Sequence, residues 1–176
     1  MLAKARERSP RSRSVGFKLG RAEALPFKTG WFDRVVLRLV VHLVDRPAAL
    51  QEAARVLGRP ARVVIATFNP QHFESYWLNA FFPDILAIDR SRFPTPATLA
   101  EELAAAGFAA PRIRMLRQRG RLRREEALER IRGRFISTLR LLGEDAYAAG
   151  LARAEQELPV EIELTTDWSI LVAEPL

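Results

Sequence analysis

Ten residues, Phe32 to Val41 (FDRVVLRLVV), set the strongest limit on how this chain can fold, because seven of them are apolar and four of those are the β-branched valine. Such a run, bounded upstream by Gly30, reads as a central parallel strand covered on both faces. Downstream, Asp45 can cap a helix that carries Pro47 in its first turn, and Gly58 is placed to end it. Within that helix Leu50, Ala53, Ala54 and Leu57 share one apolar face. Arg62 to Phe68 (RVVIATF) is then a second buried strand. Strand, helix and strand with short connections make a right-handed βαβ unit. Ligands of open α/β sheets bind just beyond the carboxyl ends of such strands, so Gly20 to Asp45 is where a site is expected.

The remaining pattern fits one domain. With 176 residues, 48% hydrophobic and 28% charged, the chain is long enough for a real core and too apolar for disorder. Met1 to Arg8 is helical in propensity but barely two turns long, and Ser9 to Ser14 is a polar linker. Val15 to Gly20 reads as a short strand, and Arg21 to Gly30 as a loop with Pro26 and a Lys28-Thr29-Gly30 turn. His72 to Phe93 holds Phe73, Tyr76, Trp77, Phe81, Phe82 and Phe93, and is expected to form two short helical pieces split at Pro83. A helix opened by Thr95-Pro96 closes at Gly107, and Arg112 to Gln118 alternates as a strand with a wet face. From Arg123, the residues Leu128, Ile131, Phe135, Leu139 and Leu142 predict one long amphipathic helix. A second helix follows Gly143, and a strand centred on Trp168 to Ala173 ends the chain.

Composition excludes several functions. The chain has no cysteine, hence neither disulfides nor thiolate metal sites, and two histidines make no histidine metal cluster. No apolar run approaches bilayer length and no signal-peptide core follows the basic start, so a cytoplasmic protein without a membrane partner is expected. The net charge of +7 is nearly all arginine. Neither a helix-turn-helix nor an aromatic-studded motif accompanies it, so biased codon usage outweighs nucleic-acid binding as its source.

Four segments, in order and spacing, carry a resemblance: GRAEALPF, FDRVVLRLVVHLVD, EAARVLGRPARVVIATF and FPTPATLAEELAAAGF. Together they resemble class I S-adenosylmethionine-dependent methyltransferases of the ubiquinone/menaquinone-biosynthesis type, over essentially the whole chain. The resemblance implies an α/β fold: a Rossmann-like class I methyltransferase sheet with helices on both faces, here missing its first two strands. Residues 1–176 would form a single truncated domain, with 70–94 and 121–158 as helical lid insertions. The family's opening strand, glycine-rich turn and acidic-ended second strand have no counterpart, since no G-x-G occurs, and Met1 stands where an internal residue would. The strand at Phe32 would then become an apolar edge, to be covered by Val15 to Gly20 or by a second copy in a homodimer.

The implied site follows residue by residue. Arg21, Ala22 and Glu23 match the loop beside the adenine of S-adenosyl-L-methionine; an aspartate often stands at Arg21, and since arginine cannot accept a hydrogen bond that contact would fall to Glu23 or the backbone. Arg38 and Leu39 match the end of the fourth strand, along the methionine side of the cofactor. His42, on the following turn, is the candidate base, although methyl transfer depends mainly on alignment and exclusion of water. Asn69, His72, Tyr76 and Trp77 are the candidates for touching a small-molecule acceptor. The implied function is methyl transfer to that acceptor; the alternative is a degenerate, non-catalytic binding or dimerisation module of the same fold.

Overall fold

Four strands form one mixed sheet in a computed structural model that describes residues 6, 7 and 15–176. In chain order these are β1 (Phe32–Arg38), α1 (Arg46–Val56), β2 (Leu57–Phe68), α2 (Pro70–Glu74), a 3-10 turn (Trp77–Ala80) and α3 (Ile85–Arg92). Then follow α4 (Pro96–Ala105), β3 (Arg112–Arg123), α5 (Arg124–Arg132), a 3-10 turn (Ser137–Arg140), α6 (Glu144–Glu157) and β4 (Glu161–Ala173). The sheet order is β1-β2-β4-β3. β1 and β2 pair in parallel across α1, while β4 is antiparallel to both β2 and β3.

The βαβ unit forms where the local signals place it. The Asp45 carboxylate accepts from the Ala48 amide at 3.2 Å, Pro lies in the first turn, and Ala49, Leu50, Ala53 and Val56 are buried. Gly58 does not end α1, however: the helix stops at Val56 and the chain enters β2 at once. The register slips between the Phe32–Leu57 and Arg34–Arg62 pairs, so Gly58 to Ala61 forms a bulge. There Gly58 lies against Gly30, and a Cβ on Gly58 would sit 3.1 Å from the Gly30 carbonyl oxygen. That close approach, rather than helix capping, is the reason for glycine here.

Two cores result. The first joins one face of the sheet (Val63, Ile65, Leu171) to Leu50 and Ala53 of α1 and Leu99 and Leu103 of α4. The second lies in the helical region and centres on Phe82, Ile85, Leu122, Ile131, Leu139 and Leu158. It is tied by the Tyr147 hydroxyl, which donates to the Ile131 carbonyl at 2.9 Å.

Several local expectations are corrected. β1 is not covered on both faces: Val36 is 62% exposed, on the face it shares with exposed Arg34 and Arg38, and among the described residues β1 is also the sheet edge. Val15 to Gly20 forms no strand; instead Lys18 donates to the Pro26 carbonyl and lies over the Phe27 ring. The long helix from Arg123 is broken after Arg132, where Gly133 caps α5 and Arg134 turns left-handed at φ 44°. The aromatic segment makes three pieces, not two, and β3 runs on to Arg123 because β4 extends to pair with it. The Met1 to Arg8 helix and the Ser9 to Ser14 linker fall almost wholly outside the described residues.

Candidate functional site at the carboxyl ends of the parallel strands

A cavity of about 220 Å³ opens at the carboxyl ends of β1 and β2, as the strand polarity predicts. β1 ends at Arg38, and the next residue, Leu39, adopts the left-handed conformation (φ 48°) while its amide still donates to the Ala66 carbonyl at 2.9 Å. That turn places His42 against the far wall. Its ring stacks on Phe93 with centroids 3.9 Å apart and planes 19° apart. Burial, and then the charge of Arg92, pull its pKa down to about 4, and its Nδ1 is buried without a hydrogen-bond partner.

α2 brings in the second histidine. Asn69 caps this helix by accepting from the Gln71 amide at 3.1 Å, and His72 follows one turn later, 2% exposed. Phe68 and Tyr76 flank the His72 ring at centroid distances of 4.4 and 4.9 Å. Burial lowers its pKa, against the opposing pull of Asp167 and the Thr165 backbone, and its Nδ1 also lacks a partner. Burial, reinforced by the Asp89 charge, raises the Tyr76 hydroxyl well above its ordinary range.

Opposite the histidines lies a network the sequence did not reveal. Asp89 of α3 is 3% exposed and accepts from the Thr138 hydroxyl. Arg92 donates to the Thr138 hydroxyl at 3.2 Å and to the Ser137 hydroxyl at 3.1 Å. Burial raises the Asp89 pKa, which Thr138 and Arg92 only partly offset. One sequence signal was present: Asp89 stands four residues after Ile85, on the apolar face of its helix, where a carboxylate needs a partner.

The cavity therefore gathers Leu39, His42, His72 and Tyr76 from the expected residues, and adds Phe68, Asp89, Phe93 and Thr138. It leaves out the others. Trp77 packs on the helical core, and Asn69 faces a separate hollow beside Met115 and Asp167. Arg38 is exposed, its guanidinium 5.1 Å from the centre of the Trp168 ring. Arg21, Ala22 and Glu23 lie in the loop before β1, where Arg21 and Ala24 form an isolated bridge. Glu23 accepts from the Asp45 amide at 3.1 Å and meets Arg21 at 3.4 Å, so it ties this loop to the start of α1. Backbone amides, chiefly, hold its carboxyl below the usual range.

The same loop has a second anchor. Glu52 accepts from the Leu25 amide at 2.7 Å, while Arg55 donates to the carbonyls of Phe27 (2.9 Å) and Leu25 (3.1 Å). Arg55, followed by the Leu25 amide, draws the Glu52 pKa down to about 2. α1 thus positions the loop before β1 through charge-assisted hydrogen bonds.

Residues 1–65 match the family model described as a methyltransferase domain. Among solved structures, the chain is similar to an Anabaena variabilis protein provisionally named as a methyltransferase from an antibiotic biosynthesis pathway. That likeness has 20% identity and a TM-score of 0.66, over 94% of this chain and 75% of the other. A Bacillus halodurans protein, also provisionally named a methyltransferase, gives 15% identity and a TM-score of 0.60, over 99% and 79%. The phosphoethanolamine N-methyltransferase 2 of Haemonchus contortus, solved with S-adenosylhomocysteine, gives 17% and 0.53, over 99% of this chain and 41% of its own. The mixed sheet β1-β2-β4-β3 with its flanking helices is the Rossmann-like fold of these structures, and residues 1–65 match the methyltransferase-domain model.

Proposed function

We propose that this chain is an S-adenosylmethionine-dependent methyltransferase acting on a small molecule held in the cavity between His42, His72 and Asp89. The observation that carries this reading is an aromatic cavity at the carboxyl ends of the parallel strands, lined by both histidines and by Asp89. The residues suit the cofactor on one side. Glu23 and its neighbours Arg21 and Ala22 would line the adenine end, and Leu39 with Arg38 the methionine end. The aromatic rings of Phe68 and Phe93 offer faces suited to a sulfonium cation. Bound there, the cofactor supplies an electrophilic methyl group.

The chain's own residues would then align the acceptor and exclude water from it. His42 remains neutral at physiological pH, but its lowered pKa makes it a weak base, so its role is to position the acceptor. S-Adenosylmethionine titrated into the chain in a calorimeter should bind with a micromolar Kd. A folded chain that shows no heat of binding up to millimolar cofactor would overturn the reading in favour of a non-catalytic module.

Two further readings accompany it. The unpaired edge of β1, with Val36 62% and Trp31 61% exposed, supports a homodimer through the sheet edge. Light scattering at tens of micromolar should give about twice the 19.9 kDa chain mass; a clean monomer there would rule it out. Arg117 and Arg121 on β3 pair with Asp167 and Glu161, which supports a solvated edge strand rather than a nucleic-acid surface. No helix of the described residues is long and apolar enough to cross a membrane, and a cytoplasmic setting suits the cofactor.

A further inference from the structure

We infer that the sheet face opposite α1 and α4 is a docking surface for an amphipathic helix with acidic flanks, carried by a partner protein. The strand pairings lay that face out in two rows. Val36 of β1 stands beside Val64 of β2, Val64 beside Val172 of β4, and Val172 beside Arg112 of β3. The next row runs Arg38, Ala66, Ile170 and Arg114. Residues paired directly across strands leave the same side of a sheet, so each row is a continuous strip of surface. The intervening Val63, Ile65 and Leu171 point the other way, into the core with α1 and α4.

Among the described residues no helix packs over these rows. Val36, Val64, Ile170 and Val172 belong to neither core. Val36 is exposed, as are Arg34, Arg38, Arg112 and Arg114, while Val64, Ala66, Ile170 and Val172 are only half-buried. A solvated sheet face carries polar residues at these alternate positions. Here Val36, Val64, Val172, Ala66 and Ile170 are aliphatic, so the strands are patterned for cover on this side too.

Charge identifies the occupant. Arg34 and Arg38 border the aliphatic strip on β1, and Arg112 and Arg114 border it on β3. Among the described residues none of these four meets a carboxylate; on this face Arg62 does, at Glu174 (2.8 Å). A second copy would set the same arginines face to face. The residues ahead of Val15 hold Lys4, Arg6, Arg8, Arg11 and Arg13 against Glu7, so their charge opposes docking here. Nucleic acid would match the charge, but bases stack on aromatic rings, and the side chains between the arginines of these rows are aliphatic. The width suits a helix. β1 and β3 stand three strand spacings apart, about 14 Å, and a helix with its side chains is about 10–12 Å across. Laid along β2 and β4, it would set an apolar stripe on Val64, Ala66, Ile170 and Val172, with acidic residues against the arginines on both flanks. A hollow of about 560 Å³ over the β4–β3 side, lined by Arg112, Arg114, Ile170 and Val172 among others, leaves room for its side chains.

The test uses the whole chain and a fluorescent peptide of about 18 residues, long enough to hold a helix, with leucines along one stripe and glutamates on both flanks. Fluorescence anisotropy should show binding that weakens as salt rises. The same peptide with lysine in place of glutamate should bind at least tenfold more weakly. Arg34→Glu and Arg114→Glu, on opposite borders, should each weaken the glutamate peptide at least fivefold, and the double variant should bind the lysine peptide better than the native chain does. Val36→Asp should also weaken the glutamate peptide, because it places a carboxylate in the floor. All three positions are exposed, so these variants should keep the native circular dichroism. Equal binding of the two peptides to the native chain, or glutamate-peptide binding that none of the variants weakens, would overturn the proposal. A single-stranded oligonucleotide that displaces the peptide at equal concentration would give the face to nucleic acid. Absence of peptide binding would also overturn it, and a dimer that both Val36→Asp and Arg114→Glu dissolve would then give the face to a second copy.

Discussion

Gly150→Ala should cost the fold about 3 kcal/mol, at the upper end of what overpacking a core usually costs. Gly150 is buried in α6, and a Cβ there would overlap the ring of Phe82 and stand 2.8 Å from the Phe81 carbonyl oxygen. Phe82 is only 2% exposed and belongs to the helical core with Ile85, Ile131 and Leu139, so its ring has nowhere to retreat. Relief requires α6 to move outward, which opens the core that supports α3 and the cavity. Urea unfolding followed by tryptophan fluorescence should show the midpoint falling sharply, with a control at Gly120→Ala. Nothing lies within 4 Å of a Cβ at Gly120, so that variant should unfold close to the native chain. Native-like stability of Gly150→Ala would mean that α6 does not pack on Phe82 as described.

Acid should destabilise the protein through its histidines. His42 titrates at about 4 when folded and near 6.5 when unfolded, because burial and Arg92 disfavour its charged form. Between those values the unfolded chain binds a proton that the folded chain refuses. Stability is therefore full above about pH 6.5 and declines as the pH falls toward 4. His72 shifts in the same direction. Asp89 acts in the opposite sense: its raised pKa makes its contribution full below 3.8 and lost as the pH rises through its folded value. The histidines outnumber it, so a net loss on acidification is expected. For His42 alone, the loss between pH 7.5 and 5 should be about 1 kcal/mol, after allowance for its partly solvated ring. Urea titrations of the native chain and His42→Leu at the two pH values provide the comparison. The variant should lose less on acidification; an identical pH dependence in both would show that His42 is not desolvated.

The interruption of the helix after Arg123 shows where a sequence pattern ran past its information. Leu128, Ile131, Phe135, Leu139 and Leu142 keep helical spacing straight through Gly133, yet the backbone turns at Gly133 and Arg134. Arg134 reaches Glu144 at 2.5 Å and lies over the Tyr147 ring, contacts that a continuous helix would not make. Gly58 taught a similar lesson. Its glycine signal was real, but it answered to Gly30 across the strand pair and not to the helix before it.

The candidate site divides in the same way. His42, His72 and Tyr76 could be named in advance because each follows a recognisable strand end or lies in an aromatic cluster. Asn69 and Trp77 share those neighbourhoods in the sequence, yet one faces a different hollow and the other the helical core. Sequence places a residue near the end of an element. It does not say which way the side chain leaves it.

By itself, then, the sequence determined the βαβ unit, the polarity that puts a cavity beyond β1 and β2, and the class of the fold. Those rest on local causes: apolar period, Asp45 as a cap, and glycine and proline at turns. Only the tertiary structure decided which side chains meet in the cavity. Asp89 and Thr138 are 49 residues apart, and His42 and Phe93 come from different elements. Their encounter depends on how the helical region packs over the sheet, and no periodicity along the chain encodes that packing. The desolvation that sets the histidines and Asp89 apart from their ordinary titration arises from the same packing, so the chemistry of the site is a tertiary property.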